Sequence, residues 1–580
     1  MEMKLNADEK CMIMLNRDMK LQHIVYAIML YNRLCEYLPD RALHITGIIN
    51  KEFGTFYSGI DVRSMFDVVS SRQSLGWFFN IGIKSMLRKY QLSCVNSFVT
   101  TIEILPFTSV CVGCGGVLSI TPDFFVNVFK LDMVVKGVLY FEYCKKCGYS
   151  HYPNSYSTIK RQHIVTCDAF KQTRYFSVGG KNVYDVALFI HFTHQLIVCR
   201  ATFRGYTSAY NATIYDLSMM QGERTSAVQQ TFQPVVLDRQ NFQSAFLVFG
   251  ICQFKFFMNN SCTSEIPFSL DKVALKRWCE GIKKEMWKLF VIMWGNHKET
   301  RKCGSSTCSS CFVVDGQQKI DRPICRFKNV IKENCELGDV FVGCGETSIA
   351  GSHFCDTHSY IDGTSTEADG MILEGDNDCL DNPVSDCNMS RIEPETNGKR
   401  LTSCGVLVLF FPCGIIGPFT ELYRSESVRR CLLFLLETLY LVKLLMGMMY
   451  DNACSLKLFI DKHFYQDDHF KKSIFSDHIS QLRMVIDRFH QVNHTRHICN
   501  TIMRAEHESH GTMFRGVNSE IAEQMFSWLK GLSTPLSGYS SFKSQVMLTL
   551  LFHYKNCRTI NVSAQEISFG RNIIEKYLNK

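Results

Sequence analysis

Residues 311–319 read CFVVDGQQK, a short apolar run that ends in an aspartate and a glycine. The pattern returns at residues 447–454, GMMYDNAC, where another aspartate follows an apolar run. Short apolar runs of this kind are typical of buried strands. We therefore expect Asp315 and Asp451 to lie at the ends of two core strands, where their carboxylates can face a common site.

A third acidic motif has helical spacing. Residues 518–529 read NSEIAEQMFSWL, with Glu520 and Glu523 three residues apart and Phe526 three residues further on. Side chains at this spacing share one face of a helix. Two aspartates and a glutamate that a fold brings together can share two divalent cations, as metal-dependent phosphodiester chemistry requires. The three motifs predict such a carboxylate site.

Each acidic residue also has a purely structural interpretation. Asp315 with Gly316 could form a turn at the end of a strand. Asp451 could cap the helix that follows it. Ser519 followed by acidic residues resembles the start of a helix, which would explain Glu520. These alternatives remain open from the residues alone.

The motifs also occur in the order of a known family. They are VVDGQQKIDRPIC (313–325), SHFCDTH (352–358), YDNAC (450–454), FHQVNHTRHIC (489–499) and NSEIAEQMFSWL (518–529). In order and context they resemble the Kyakuja–Dileera–Zisupton (KDZ) transposases, and the upstream cysteine clusters resemble the accessory cysteine-cluster domains of that superfamily. The resemblance covers residues 100–555. The chain has Gln317 where the family's first motif often reads Asp-Gly-Asn.

The resemblance implies an RNase H-like catalytic core, DNA as substrate, Mg²⁺ or Mn²⁺ as cofactor and a nuclear location. It assigns catalysis to an aspartate–aspartate–glutamate triad, here Asp315, Asp451 and either Glu523 or Glu520. The related hAT transposases carry their glutamate shortly before a Phe-Ser pair, and Glu523 has that position here, so Glu523 is preferred. The triad residues match the family although Ser519 and Gln524 replace residues that it often has there.

The chain contains 27 cysteines. Its first residues, MEMKLNADEKCMIML, lack the apolar core and cleavage site of a signal peptide, so we expect reduced cysteines, and paired spacings then indicate metal sites. The clearest pairs are Cys111-x-x-Cys114 and Cys144-x-x-Cys147, a four-thiolate set that matches structural zinc. They predict a zinc ribbon.

A second Cys/His cluster is predicted from Cys325, Cys344, Cys355 and His358, a three-cysteine, one-histidine set. Whether a third site forms is left open; its candidate ligands are His297, Cys303, Cys308 and Cys311. For a further group, His490, His494 and Cys499, the resemblance implies support for the catalytic pocket or a DNA contact, and we do not expect a zinc site there.

Composition indicates a folded multidomain protein. The 580 residues are 46% hydrophobic and 12% aromatic, and the net charge of +8 permits binding to nucleic acid without requiring it. Residues 401–450 are very apolar, but Pro412, Glu437 and Lys443 interrupt them, so a buried strand and a core helix fit better than a membrane span.

We therefore predict an α+β multidomain chain with a zinc ribbon, a second Cys/His cluster and a split RNase H-like core. Its predicted segments are a helical N-terminal region (1–105), a zinc ribbon (106–160), a mixed α/β segment (161–296), a second cysteine cluster with the first catalytic strand (297–360), an acidic disordered linker (361–398), the rest of the catalytic core (399–555) and a C-terminal tail (556–580).

The predicted function is metal-dependent DNA cleavage and strand transfer by a transposase or a transposase-derived protein. The alternative is a non-catalytic, zinc-stabilised DNA- or chromatin-binding protein that descends from such an enzyme. DNA is the expected partner and a membrane is not. The sequence leaves open whether the protein forms a homo-oligomer.

Overall fold

Three helices form the described part of the first of two compact units. The computed structural model describes residues 19–33, 41–71, 102–222, 235–258, 261–267, 269–305, 308, 310–317, 320–363 and 402–578. The units are Met1–Thr101 and Ile102–Lys580. The helices of the first are α1 (Leu21–Arg33), α2 (Arg41–Phe53) and α3 (Gly59–Ser71). Apolar residues spaced four apart, such as Ile45 and Ile49, form a small core between them.

The second unit begins with a nine-stranded sheet. Its strands are β1 (Ile102–Ile104), β2 (Ser119–Phe129), β3 (Val134–Tyr143), β4 (Ser150–His151), β5 (Tyr156–Ser157), β6 (His163–Thr166), β7 (Tyr175–Phe176), β8 (Asn182–Asp185) and β9 (Thr263–Ile266). The order is β7-β8-β2-β3-β4-β5-β6-β9, with β1 beside β3. The strands of the predicted ribbon segment thus share a sheet with strands from the predicted mixed segment.

Five helices accompany this sheet. They are α4 (Cys167–Gln172), α5 (Val186–Val198), α6 (Phe203–Gly222), α7 (Arg239–Met258) and α8 (Lys272–Gly295). Helix α7 is buried on every side from Ser244 to Phe254, as its almost uninterrupted apolar sequence requires. Helix α8 begins at Asp271, whose side chain accepts hydrogen bonds from two free backbone amides.

A second sheet of five strands lies in the C-terminal part of this unit. The remaining strands of the unit are β10 (Cys311–Gln317), β11 (Ile331–Asn334), β12 (Gly338–Phe341), β13 (Gly405–Phe410), β14 (Ile416–Leu422), β15 (Gly447–Tyr450) and β16 (Arg483–Val485). The sheet has the order β14-β13-β10-β15-β16, while β11 and β12 form a separate hairpin. Strands β14, β13 and β10 are antiparallel neighbours, whereas β10, β15 and β16 run parallel.

The helices around this sheet are α9 (Val428–Leu439), α10 (Ala453–His463), α11 (Ile474–Ser480), α12 (Ile521–Lys530), α13 (Ser533–Ser537), α14 (Ser541–Thr559) and α15 (Arg571–Leu578). The apolar stretch that begins near residue 401 forms β13, which is buried at every position, then β14 and the buried helix α9. In the part of the chain that the structure describes, every helix is too short or too polar to cross a membrane.

Two further predicted segments belong to this unit, one internal and one at its C-terminal end. Beyond residue 363, the predicted acidic linker 361–398 lies outside the described residues, so its disorder stays a prediction. At the C-terminus, α15 occupies the segment predicted as a tail. Its Ile573 and Ile574 are buried in the main hydrophobic core, so this helix packs with the rest of the unit.

Candidate active site and Cys/His clusters

Asp315 and Asp451 lie at adjacent positions of two parallel strands. Val314 of β10 is paired with Tyr450 of β15, and each aspartate is the next residue of its chain. Neighbouring strands are about 4.8 Å apart, so the two carboxylates leave the sheet side by side. Asp315 is itself paired with Val408 inside the sheet, which excludes a turn at this position.

Asp451 does not act as a helix cap. The N-cap of α10 is Asn452. The Oδ1 atom of Asp451 is buried and has no hydrogen-bond partner among the residues that the structure describes. A buried carboxylate oxygen of this kind costs free energy unless a hydrogen-bond donor or a cation satisfies it. The position therefore fits a metal ligand.

Glu426 is a further carboxylate in the same place, and the sequence analysis did not identify it. It precedes the N-cap of α9, Ser427, and its Oε1 accepts a hydrogen bond from the Tyr450 hydroxyl at 2.9 Å. Its Oε2 would lie 2.1 Å from a Cβ atom added to Gly316. A side chain at residue 316 would therefore displace this carboxylate.

Asp487 follows the third parallel strand, one residue after Ile486. Because Met449 pairs with Val485, Asp487 is level with Asp451 across the sheet. The Asp487 side chain is buried, and its Oδ2 lies 2.5 Å from Nδ1 of His490. This contact orients the imidazole, whose Nε2 then lies 3.9 Å from Oε1 of Glu523.

Helix α12 supplies the glutamate. Glu523 lies in its first turn; burial is the main cause of the raised pKa of both Asp315 and Asp451, and the negative charge of Glu523 adds to it. Glu520 occupies the N-cap position instead, and both glutamates are exposed to solvent. The helix begins at Ile521, so Glu523 lies within it and Glu520 lies just before it. The two side chains therefore do not share one face of the helix.

Burial and the close approach of these acidic groups raise the pKa values of their carboxyl groups. Burial, followed by the charges of Asp451, Glu426 and Glu523, raises the pKa of Asp315 well above its ordinary value. Burial and the charge of Asp451 raise the pKa of Glu426 to about 8. Burial also raises the pKa of Asp451, against the opposing effect of His490. A bound cation would relieve this repulsion.

The sequence analysis did not identify Asp487 or Glu426, and the two residues differ in the strength of their sequence signal. Asp487 follows the apolar run Met484–Ile486, the same pattern that identified the other two aspartates, so this signal was present. Glu426 lies in the stretch SESVRR, which resembles an ordinary helix start. Only the folded structure shows that the Glu426 carboxylate lies beside Gly316.

The predicted zinc-ribbon cysteines come together. The pairs flank the hairpin of β2 and β3, whose antiparallel register joins Ser119 to Tyr143 and so brings both knuckles to one end. The Sγ atoms of Cys111 and Cys147 are 3.2 Å apart, and those of Cys114 and Cys144 are 3.5 Å apart. Four thiols at such distances could hold one zinc ion.

The second predicted set also converges. Cys344 and Cys355 have their Sγ atoms 3.8 Å apart, and Nδ1 of His358 lies 3.3 Å from Sγ of Cys355 and 3.5 Å from Sγ of Cys325. A hydrogen bond with Cys344 lowers the pKa of the Cys325 thiol to about 5. This cluster could hold zinc as well.

Two more clusters appear in the described residues. One contains His297, Cys303 and Cys308, but its fourth member is Cys413 rather than the Cys311 considered in the sequence. The other contains Cys454, His494 and Cys499, all of them buried; Nδ1 of His494 lies 3.6 Å from each of the two sulfurs. The expectation that His490, His494 and Cys499 support the pocket or contact DNA rather than bind zinc stays a prediction, and Cys454 is a neighbour that it did not include.

With the site described, comparison with known proteins finds a family match for part of the chain. Residues 295–556 match a family of transposases. The family is the Kyakuja-Dileera-Zisupton transposase, so the resemblance noted from the motifs is confirmed over this segment. The match includes every candidate carboxylate and begins after the Cys111 cluster. No curated protein and no solved structure matches the chain.

Proposed function

We propose that the protein is a DNA transposase whose Asp315, Asp451 and Glu523 form a metal-dependent catalytic triad. The observation that supports the proposal most directly is the convergence of these carboxylates from two parallel strands and a helix. The family match to transposases supports DNA as the substrate. DNA lies in the nucleus of a eukaryotic cell, and we propose that location.

The strand order supports an RNase H-like core. Counted from β10 as the first strand, the five-stranded sheet has the order 3-2-1-4-5, with the second strand antiparallel to its neighbours. Ligand sites in sheets with parallel strands lie at the carboxyl ends of those strands. Asp315, Asp451 and Asp487 all lie at that edge of the sheet.

The donor set fits divalent cations that prefer oxygen. Asp315 and Asp451 would hold Mg²⁺ or Mn²⁺, and Glu523 would complete the coordination; carboxylate oxygens are the ligands that these cations favour. When bound, such cations activate the attacking oxygen and stabilise the leaving oxygen of a phosphodiester. Asp487 orients His490, whose Nε2 faces Glu523 and so positions a donor beside that carboxylate.

The test compares two glutamates of one short segment. Purified full-length protein is incubated with supercoiled plasmid in Mg²⁺ or Mn²⁺, and nicked product is measured. Glu523→Gln should reduce nicking at least about 100-fold, the scale on which catalytic groups act. Glu520→Gln is the matched control and should be close to wild type. Equal activity of the Glu523→Gln variant and the wild type would refute the triad.

The alternative, a non-catalytic DNA-binding descendant, predicts a different result from the same experiment. Such a protein would bind plasmid without any nicking that depends on Mg²⁺ or Mn²⁺, and Asp315→Asn would leave DNA binding unchanged.

For the Cys111 and Cys325 clusters we propose structural zinc, because each set offers four protein ligands, and closed sites of this kind contribute folding free energy.

A further inference from the structure

Four metal-binding side chains from three parts of the chain meet at the amino end of β10. His297 follows helix α8, Cys303 and Cys308 precede β10, and Cys413 lies in the turn between β13 and β14. Nε2 of His297 is 3.1 Å from Sγ of Cys308 and 3.3 Å from Sγ of Cys413, and these two sulfurs are 3.3 Å apart. All four donor atoms lie within 4.8 Å of one another.

The orientation of His297 indicates a ligand. Its Nδ1 lies 2.8 Å from the carbonyl oxygen of Trp294, so Nδ1 carries the proton and donates it there. The unprotonated Nε2 then faces the sulfurs. Histidines that bind metals usually donate their other ring nitrogen to a carbonyl or carboxylate in this way, which sets the tautomer. The ring of Phe411, 4.6 Å away between centroids, packs against the imidazole.

The separations also fit a tetrahedral ion. Zn–S bonds of about 2.3 Å and Zn–N bonds of about 2.0–2.1 Å place the donor atoms of a tetrahedral site about 3.5–3.8 Å apart. The observed distances of 3.1–3.3 Å are a few tenths of an ångström shorter. A disulfide between Cys308 and Cys413 would need about 2.05 Å between the sulfurs, so the cluster contains separate thiols.

We propose that His297, Cys303, Cys308 and Cys413 bind one structural Zn²⁺. The ion joins the end of α8 and the β13–β14 turn to the start of β10. It thus fixes β10 at the edge of the sheet opposite to Asp315. This assignment does not depend on catalysis. Cys311, which the sequence analysis considered as the fourth ligand, is not in this cluster: it pairs with Gly447 of β15, and its Cβ atom would lie 2.8 Å from a Cβ atom added to that glycine.

The first experiment measures zinc per chain in the purified full-length protein by elemental analysis. Cys413→Ser should lose about one equivalent relative to wild type, because a site with three remaining ligands binds zinc far more weakly. Cys311→Ser is the matched control, since it removes a buried cysteine from the same strand start, and it should retain the wild-type content. Unchanged zinc in Cys413→Ser, or loss in Cys311→Ser, overturns the assignment.

A second variant covers the case in which Cys413→Ser does not fold. His297→Cys replaces the imidazole by a fourth thiolate and should keep the full zinc content. After substitution with Co²⁺, its thiolate-to-cobalt charge-transfer absorption should exceed that of the wild type by the contribution of one thiolate. Charge-transfer absorption equal to that of the wild type would show that residue 297 is not a ligand and would overturn the proposal.

Discussion

Gly316 determines how closely two carboxylates can approach. It lies within β10, where no turn requires a glycine, yet a Cβ atom at this position would be 2.1 Å from Oε2 of Glu426. The absence of a side chain allows Glu426 to reach the site beside Asp315. The Asp-Gly pair of the first motif thus has a physical basis: one residue supplies a carboxylate and the next makes space for another.

Gly316→Ala should therefore displace Glu426. We expect a loss of about 1–3 kcal/mol in the free energy of unfolding, typical of an overpacked site, together with reduced metal-dependent nicking. Denaturant titration of the full-length protein measures the first effect. Gly304→Ala is the control, because a Cβ atom there meets no atom of the described residues within 4 Å. The double variant Gly316→Ala/Glu426→Ala should recover stability; if it does not, the clash is not the cause.

Glu426 should also make stability depend on pH. Its pKa in the folded protein is raised to about 8, chiefly by burial, so the folded state binds this proton more tightly than the unfolded state. The stabilisation is complete below the unfolded-state value near 4.5 and is lost as the pH rises towards 8. The slope for one group is at most about 1.4 kcal/mol per pH unit.

The measurement is the free energy of unfolding between pH 5 and pH 8 in buffer without added Mg²⁺ or Mn²⁺. Glu426→Gln removes the titrating group and should flatten the curve relative to wild type. Added Mg²⁺ or Mn²⁺ should restore wild-type stability at pH 8 by binding to the folded state. Parallel curves for the two proteins would exclude Glu426 as the source.

At the scale of elements, a buried ion pair links the segment after β10 to strand β14. The Arg322 side chain is completely buried; its Nε lies 2.6 Å from Oε1 of Glu421, and its guanidinium also donates to the carbonyl oxygen of Gly345. The charge of Arg322 opposes the rise in the pKa of Glu421 that burial causes. The pair therefore holds the segment that carries the Cys325 cluster against the five-stranded sheet.

Arg322→Met should destabilise the protein by about 3–5 kcal/mol, because it leaves the buried Glu421 without a counter-charge. Arg322→Met/Glu421→Leu should be considerably milder, since both buried charges are removed. Arg571→Met breaks the exposed pair with Glu575 and should change stability little. Thermal unfolding of all three variants provides the comparison; a double variant as unstable as Arg322→Met would contradict the interpretation.

The elements show which features the sequence could predict. Local patterns were sufficient to place Asp315 and Asp451 on core strands and to pair the knuckles at Cys111 and Cys144. Apolar runs and short ligand spacings are encoded within a few residues. Partners distant in the chain were not predictable in this way. Cys413 replaces Cys311 in its cluster because the β13–β14 turn comes back to the start of β10, which local spacing cannot express.

Contacts between distant parts of the chain also explain why Glu426 and the shared nine-stranded sheet were not predicted. Glu426 approaches Gly316 through the packing of the residues before α9, more than 100 positions away in the chain. The joint sheet of the ribbon segment and the following segment depends on pairings such as β2 with β8 and β6 with β9. Pairing between distant strands is set by tertiary packing, for which one sequence gives little direct signal.

At the scale of the whole molecule, the segment that matches the family is not separate from what precedes it. Helix α8 packs on α14 and β14. Its Phe290 ring contacts Phe419 and Phe552, with centroids 5.6 and 6.5 Å apart, and the indole N–H of Trp287 donates to the carbonyl oxygen of Phe419 at 2.7 Å. Residues upstream of 295 thus cover the core of the matched segment.

A fragment of residues 295–580 should therefore fail to fold on its own. It lacks α8 and exposes the apolar faces of β14 and α14, which should abolish cooperative unfolding and promote aggregation. A fragment of residues 102–580 comprises the complete second unit and should unfold cooperatively like the full chain. Circular dichroism during heating distinguishes them. Cooperative unfolding of the shorter fragment would contradict the role given to α8.

The spread of the carboxylates along the chain bears on when the site can exist during protein synthesis. Roughly 200 residues separate Asp315 from Glu523. At about 5–20 residues per second, tens of seconds pass on the ribosome between the two. Nascent chains, and products of premature termination before α12, therefore hold the aspartates without the glutamate. Under the proposed mechanism, a chain can cut DNA only after synthesis has passed α12, so a product that ends earlier is inactive.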